Sequence, residues 1–272
     1  MSSQDTAVRR TLSTLYYQYP TLWKSFCFHV LSGIKFRKAP NCSRRLIQKI
    51  TQIINHPDDL IYTEIRHLVH SDLYKSQEYL STKEDWDRAD NRIEQIRPIF
   101  QKYIQTCNNY LDIGSGHGEI TTGLGKLFNA KTISGCDILP VTDPDFNFTL
   151  LTDPHVLPYE TSSSDLITTM MSLHHIKDLP KMLSEIHRVL RPDGKFLIRE
   201  HDVNSQGESL LLDITHKFYA LVWSIQTENH WYSKYYSRED LNQCLIKAGF
   251  KTIYETSSVG VMKHYYRVCL KI

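Results

Sequence analysis

The stretch NYLDIGSGHGEITTGL, residues 109–124, decides the fold. A short, mostly apolar run, YLDI, contains Asp112 and ends at Ile113, glycines stand at positions 114, 116 and 118, and an amphipathic segment begins at Glu119. A short apolar run followed by a glycine-rich turn and a helix is typical of the first βα unit of a parallel sheet. In open α/β sheets, ligands bind beyond the carboxyl ends of the strands. The stretch therefore predicts a ligand site in this loop.

The spacing and charge of this loop indicate which ligand it suits. A dinucleotide-binding loop has Gly-x-Gly-x-x-Gly spacing, which lets a pyrophosphate reach the helix N-terminus. Here the glycines alternate, and carboxylates stand on both sides of them at Asp112 and Glu119. Two carboxylates repel a phosphate and attract ammonium and hydroxyl groups. We interpret the loop as a seat for a cationic nucleoside.

Downstream of this loop, short apolar runs alternate with amphipathic helical segments, as in βαβ units. The final two apolar runs have no helix between them, so we expect them to pair antiparallel. The predicted fold is α/β, a Rossmann-like doubly wound seven-stranded sheet, mostly parallel with an antiparallel strand near the C-terminus. The predicted strands lie in YLDI, KTISGCDI, FNFTLLTD, DLITTMMS, KFLIRE, KTIYET and YYRVCLKI, with RPDG as a turn before the fifth.

The first third of the chain has helical periodicity instead. We therefore predict a helical, basic N-terminal extension over residues 1–105 and the sheet domain over 106–272. Within that domain, residues 203–236 form a predicted aromatic lid or acceptor insertion. Pro98 is expected to kink or restart the helix that precedes the sheet.

Composition limits the class of protein. The 272 residues are 41% hydrophobic and 23% charged, and no apolar run approaches the length of a membrane helix. The N-terminus lacks the features of a signal peptide, and the six scattered cysteines include no Cys-x-x-Cys pair, so we expect reduced thiols and a cytoplasmic location. Residues 6–57 contain nine of the 32 basic residues and no acidic one, which leaves 23 basic against 30 acidic residues elsewhere. This polarity is typical of a surface for nucleic acid or anionic membrane.

Five motifs in order make residues 109–272 resemble the class I S-adenosylmethionine (SAM)-dependent methyltransferases, especially the type 11 group. LDIGSGHGE resembles motif I, and GCDI places Asp137 where the family's acidic residue binds the ribose hydroxyls. TDPHVLPY places Asp153 beside the adenine amino group, SDLITTMMSLHHI resembles motif IV, and LRPDGKFLI resembles the segment after it. The resemblance implies an enzyme that uses SAM as methyl donor and releases S-adenosylhomocysteine (SAH).

The cofactor contacts that we expect follow these motifs. They lie in the glycine loop, after the second and third strands, and at the end of the fourth: Asp112, Gly114, Ser115, Gly116, Gly118, Asp137, Ile138, Asp153, Pro154, Ser172 and Leu173.

The candidate catalytic residues stand at the ends of the fourth and fifth strands. Methyl transfer is an in-line displacement, and it needs a base only when the acceptor must lose a proton. His174, Glu200 and His201 are the candidates for that role. A metal site at His201 and Asp202 is an alternative, but no paired ligand spacing supports it, so no metal is predicted.

The acceptor should be selected by the two additions to the sheet. Arg37, Lys38, Arg44 and Arg45 could hold phosphates while rings of the segment HWYSKYY stack a base, so we favour RNA, either a cap or a tRNA base. The alternative is a small molecule or lipid, with the N-terminal helices as a lid or membrane-contact surface. A third possibility, a binding scaffold without activity, is disfavoured by the intact glycine loop.

Overall fold

A seven-stranded sheet organises the second half of the chain. The computed structural model describes residues 11–28, 40–72, 82–104, 107–223, 232–258 and 262–272. The strands are β1 (Asn109–Ile113), β2 (Thr132–Asp137), β3 (Asn147–Leu150), β4 (Ser164–Met170), β5 (Leu190–His201), β6 (Phe250–Glu255) and β7 (His264–Lys271). Their order across the sheet is β3-β2-β1-β4-β5-β7-β6. The pairs from β3 to β5 are parallel, and β7 runs antiparallel to both β5 and β6, which confirms the predicted fold class.

Helices cover both faces of this sheet. They are α5 (Thr82–Phe100), α6 (Glu119–Leu127), α7 (Leu179–Val189) and α9 (Arg238–Lys247). The α7 stripe predicted from its spacing is buried, because Met182, Leu183 and Ile186 lie in one core with β1, β4 and β5. On the opposite face, Ile96 and Phe100 of α5 pack with Leu124 of α6 in a second core. The sheet is therefore buried between two helical layers.

The caps of these helices explain where they begin and end. The Asp178 carboxylate accepts from the Lys181 backbone N–H at the start of α7, and the Ser237 hydroxyl accepts from the Asp240 N–H at the start of α9. Gly249 follows α9 with a φ of 84°, a left-handed conformation that ends a helix without strain.

Two local predictions differ from the structure. Helix α5 is not restarted at Pro98 but continues to Phe100, because a proline in the last turn removes little of the remaining hydrogen bonding. The segment RPDG belongs to β5, where the pairing shifts from Ser164 with Leu190 to Leu166 with Lys195. Asp193 in this irregularity has a φ of 62°, so the turn chemistry produces a bulge within the strand.

The chain divides into two compact units. One contains the described parts of residues 1–80 and 204–231, and the other contains those of 81–203 and 232–272. The sequence pattern placed α5 in the N-terminal extension, whereas the structure groups it with the sheet because it packs against α6.

The first unit is helical. Its elements are α1 (Leu12–Gln18), α2 (Pro20–Phe26), α3 (Pro40–Gln52), α4 (Asp58–Asp72) and α8 (Gln206–Phe218), followed by a π-helical turn over Tyr219–Trp223. The Leu12 N–H donates to Asp58 Oδ1 at 3.1 Å, and the Phe26 ring meets the edge of Phe218 at 5.7 Å. Most of the predicted insertion that the structure describes therefore joins the N-terminal helices. Among the helices of the described residues, none has the length and apolarity needed to cross a bilayer.

Candidate active site

The glycine loop between β1 and α6 leaves one position open to a ligand. Gly114, Gly116 and Gly118 have φ values of 74°, 53° and 91°, which glycine adopts without a steric cost. A Cβ at Gly114 would lie 2.5 Å from the Ser172 Cβ, and one at Gly118 would lie 2.0 Å from the Phe146 ring. A Cβ at Gly116 would meet no heavy atom within 4 Å among the described residues. A ligand can thus approach the backbone at Gly116, while the other two glycines are packed against protein.

Asp112 does not face this open space, contrary to the prediction. Residues two apart on a strand share a face, and Asp112 points with Tyr110 toward the side covered by α6. Its carboxylate accepts hydrogen bonds from Thr121 Oγ1 at 2.6 Å and from Thr168 Oγ1 at 2.5 Å. Burial is the main cause that raises the pKa of Asp112 to about 6. The side chain therefore ties α6 and β4 to β1 beneath the loop.

Asp137 stands at the carboxyl end of β2 beside the loop. Its carboxylate accepts from the Gly116 N–H at 2.9 Å and from the Leu139 N–H at 3.1 Å, and the residue remains partly exposed. The next residue, Ile138, is 58% exposed. The buried Ser115 hydroxyl has no hydrogen-bond partner in the described part of the chain. A carboxylate acceptor, an accessible backbone and an unsatisfied hydroxyl together fit the hydroxyl and amino groups of a nucleoside.

The segment after β3 places Asp153 and Pro154 at the surface. The Asp153 carboxylate accepts from the His155 N–H at 2.8 Å and lies 3.7 Å from Lys181 Nζ. The hydrogen bond from the His155 backbone is the main cause that lowers the pKa of Asp153. His155 Nε2 accepts from the Asp178 N–H at 3.1 Å, which links this loop to the start of α7. Sequence reasoning missed His155, because its only signal was its position two residues after Asp153.

The two predicted contacts at the end of β4 behave differently. Ser172 Oγ donates to the Ile113 carbonyl at 2.8 Å and so fastens this turn to the end of β1, beside Gly114. The Leu173 side chain is 1% exposed and packs in the core under α7. Only the backbone of Leu173 is therefore left for the predicted contact, which stays a prediction.

His174, Glu200 and His201 come together at the carboxyl edge, as the candidate catalytic residues of β4 and β5. His174 Nδ1 lies 2.8 Å from Glu200 Oε2, and the His201 N–H donates to the same oxygen at 3.1 Å. All three residues are buried. Burial by itself would raise the pKa of Glu200, but electrostatic attraction and hydrogen bonding to His174 outweigh it and lower the pKa to about 2. The centre therefore holds an ionised carboxylate in the interior.

The neighbouring histidines remain neutral. Burial is the main cause that lowers the pKa of His201 and of His175 to about 4 each. The His175 ring lies 4.1 Å from that of His174, and its Nδ1 is 3.0 Å from the Tyr232 carbonyl. Two uncharged rings thus border the Glu200 carboxylate and its partner.

Residues 232–236 complete this centre. The Lys234 N–H donates to the His174 carbonyl at 2.8 Å, and the Tyr235 ring stacks on the His174 ring at 5.3 Å with 26° between the planes. The aromatic content of HWYSKYY indicated a role for this segment, but no sequence pattern identified Tyr235. The described part of the segment, from Tyr232, therefore belongs to the site at the sheet edge.

Asp202 contacts α9, and only two of the predicted basic residues lie in the described part of the chain. The Asp202 carboxylate accepts from the Arg238 N–H at 3.1 Å and from Ser258 Oγ at 2.5 Å, so it joins the end of β5 to α9. Arg44 and Arg45 are exposed on α3, whereas Arg37 and Lys38 lie outside the described residues.

Comparison of the sequence with known proteins identifies a family and several relatives. The family described as "Methyltransferase domain" matches residues 83–255. The mitochondrial arginine-hydroxylase NDUFAF5 of Mus musculus is 37% identical over 94 residues, which cover 32% of this chain and 27% of that protein. The ubiquinone/menaquinone biosynthesis C-methyltransferase UbiE of Rickettsia bellii is 30% identical over 141 residues, covering 44% of this chain and 54% of that protein. The chain thus spans about half or less of the length of these two relatives.

A solved structure supports the fold. The geranyl diphosphate C-methyltransferase of Streptomyces coelicolor A3(2), in complex with Mg²⁺, geranyl diphosphate and SAH, aligns with a TM-score of 0.50 at 9% identity. The alignment covers 66% of this chain and 77% of that one. At this identity the likeness shows the fold alone. Because the family match extends over more than half of the chain and agrees with the sheet order and the motif I loop, this protein belongs to the class I SAM-dependent methyltransferase-domain family, with SAM as its cofactor.

Proposed function

We propose that this protein transfers the methyl group of SAM to an acceptor bound at the carboxyl edge of the sheet, next to His174. The observation that carries this proposal is the open backbone at Gly116, facing the Asp137 carboxylate at the end of β2. The glycine loop and the His174 centre are neighbours, because Ser172 lies against Gly114 and begins the turn that leads to His174.

The residues around the glycine loop would bind the methyl donor. Asp137 would accept the ribose hydroxyls, and Ser115 and the Gly116 backbone would hold the remaining polar groups of the donor. When bound, SAM supplies an electrophilic methyl group on a positively charged sulfur. The chain fixes the distance and angle of attack, which is the main contribution a protein makes to such a displacement.

For the acceptor, the class that we favour is a small molecule. Of the methyltransferases compared above, one is named for ubiquinone and menaquinone biosynthesis and the other for geranyl diphosphate. Quinones and geranyl diphosphate are small molecules. The His174 centre is buried, and burial suits a compact acceptor from which water is excluded.

RNA is the second candidate acceptor. Arg44 and Arg45 are exposed on α3, and residues 6–57 contain no acidic residue that would repel phosphates. Affinity for RNA would then fall steeply with salt, because phosphate binding releases counterions.

Calorimetric titration with SAM tests the donor site. We expect native protein to bind SAM and Asp137→Asn to bind about 10- to 100-fold more weakly, because a hydrogen bond to a charged group contributes about 1.5–3 kcal/mol. Glu160→Gln is the matched control, since Glu160 is an exposed acid outside the site. Absence of heat with native protein at millimolar SAM would refute the proposal.

Transfer of labelled methyl identifies the acceptor class. Native protein and labelled SAM are incubated with separate small-molecule, lipid and RNA fractions, and the label is counted in each. For the RNA candidate, the double charge reversal Arg44→Glu and Arg45→Glu should abolish salt-dependent RNA binding, while Lys131→Glu at another exposed position should not. Label in the small-molecule fraction together with salt-insensitive RNA binding would eliminate RNA as the acceptor.

A further inference from the structure

The hydrogen bond to Glu200 determines which nitrogen of His174 carries the proton when the ring is neutral. An ionised carboxylate only accepts hydrogen bonds, so the nitrogen 2.8 Å from Glu200 Oε2, His174 Nδ1, must carry a proton. In the neutral imidazole the lone pair then belongs to Nε2. The carboxylate itself is held by a second donor, the His201 N–H at 3.1 Å.

The surroundings of the ring fix its orientation. The Tyr235 ring stacks on the His174 ring with 5.3 Å between the ring centroids, and the centroid of the His175 ring lies 4.1 Å from that of His174. The Lys234 N–H holds the His174 carbonyl at 2.8 Å. A ring clamped by these contacts and by a carboxylate cannot rotate to exchange its nitrogens without breaking the bond to Glu200.

Glu200 supplies the negative charge beside this ring. Its side chain is buried and its Oε2 lies 2.8 Å from His174 Nδ1, so the carboxylate acts on the ring through a medium of low polarity. Within the compact unit that contains the sheet, the titratable groups whose rings contact His174 include His175, His201 and Tyr235, and burial lowers the pKa of both histidines to about 4. The charge nearest to a protonated His174 is therefore the Glu200 carboxylate.

We propose that His174 Nε2 removes a proton from the methyl acceptor and that Glu200 positions the ring for this step. The acceptor is consequently an oxygen or carbon acid, such as a hydroxyl or an enol, and not an amine or ring nitrogen with a free lone pair. A nitrogen of that kind attacks without a base and would leave this arrangement unused. This inference rests on the proposed function, because it requires a methyl donor at the neighbouring loop.

The step balances as follows. The acceptor's O–H or C–H bond breaks and its proton goes to His174 Nε2, while the electron pair of that bond forms the new bond to the methyl carbon. The carbon–sulfur pair returns to the sulfur, which becomes a neutral thioether. His174 then releases the proton to solvent, and no oxidant or reductant is consumed.

Nuclear magnetic resonance tests the tautomer without turnover. Nitrogen-15 spectra of native protein at a pH where His174 is neutral should show a protonated Nδ1 and an unprotonated Nε2. In Glu200→Gln this preference should be weakened, while His187→Gln on α7 should leave it unchanged. A native spectrum with the proton on Nε2 in neutral His174 would overturn the inference.

Activity and product chemistry test the role. With the small-molecule fraction that takes up label, His174→Gln should lower kcat about 10²- to 10⁴-fold, the usual contribution of a general base. SAM affinity measured by calorimetry should stay within twofold of native, and His187→Gln should retain native kcat. Mass spectrometry should locate the label on oxygen or carbon.

The outcomes separate this inference from the proposed function. Failure of native protein to bind SAM would refute the proposed function itself. Normal SAM binding with the label on a nitrogen, or with kcat unchanged in His174→Gln, would overturn only the proton-transfer role. The product assay uses native protein, so it decides the matter even where a variant does not fold.

Discussion

Replacing Gly116 with alanine should separate ligand binding from folding. Its matched comparison is Gly114→Ala, because both residues have positive φ values and lie in the same loop. The two differ in space: an added Cβ at Gly116 meets nothing within 4 Å among the described residues, whereas at Gly114 it would lie 2.5 Å from the Ser172 Cβ.

The magnitudes follow from these contacts. A left-handed conformation costs alanine about 1–2 kcal/mol. Overpacking adds about 1–3 kcal/mol at Gly114 alone. We therefore expect the free energy of unfolding to fall by about 1–2 kcal/mol in Gly116→Ala and by about 2–5 kcal/mol in Gly114→Ala.

Gly116→Ala should have the smaller loss of stability but a clear loss of SAM affinity. The Gly116 methyl would occupy the space through which the donor approaches, so we expect at least about a tenfold loss of affinity, or about 1.4 kcal/mol, in a variant that is still folded. Urea denaturation monitored by circular dichroism gives stability, and calorimetry with SAM gives affinity. Gly116→Ala protein that binds SAM as tightly as native protein would refute the assignment of this open face to the donor.

Two further predictions concern stability. Arg267 is 2% exposed and pairs with Glu255. Because Arg267→Met would leave the Glu255 carboxylate without this partner, it should lower the free energy of unfolding, measured in urea, by about 3 kcal/mol. A loss below about 1 kcal/mol would contradict a stabilising role of the pair. For Asp112, a native pKa of about 6 exceeds the ordinary value near 3.9, so the native state binds more protons than the unfolded state between pH 4 and 6. Stability should therefore fall by up to about 3 kcal/mol as pH rises through this window, and Asp112→Asn should flatten the dependence in urea titrations. Parallel curves for native protein and Asp112→Asn would show that Asp112 does not titrate there.

Most of the fold could be predicted because its signals are local. The glycine loop, the alternation of apolar runs with amphipathic helices and the last two strands without a helix between them each depend on residues close in sequence. The caps at Asp178 and Ser237 are of the same kind. The position of α5 was harder to predict, since its helical pattern does not say which unit it covers.

The site was only partly predictable. Asp137 and Gly116 follow from motif spacing, and the structure brings them within hydrogen-bond distance. Asp112 and Leu173 stand at motif positions too, but their side chains turn into the interior. Which face of the sheet a residue meets is decided by the packing of the layers around it.

The sequence by itself determined the fold class, the family and the positions of the donor loop, because these depend on short-range spacing. Only the tertiary structure joined His174 to Glu200, 26 residues apart, and placed Tyr235 on the same ring. Such pairs form where the carboxyl ends of β4 and β5 and the chain from Tyr232 meet. The physical reason is that hydrogen bonds and ring contacts require proximity in space, which the register of the sheet sets and which no local pattern of residues encodes.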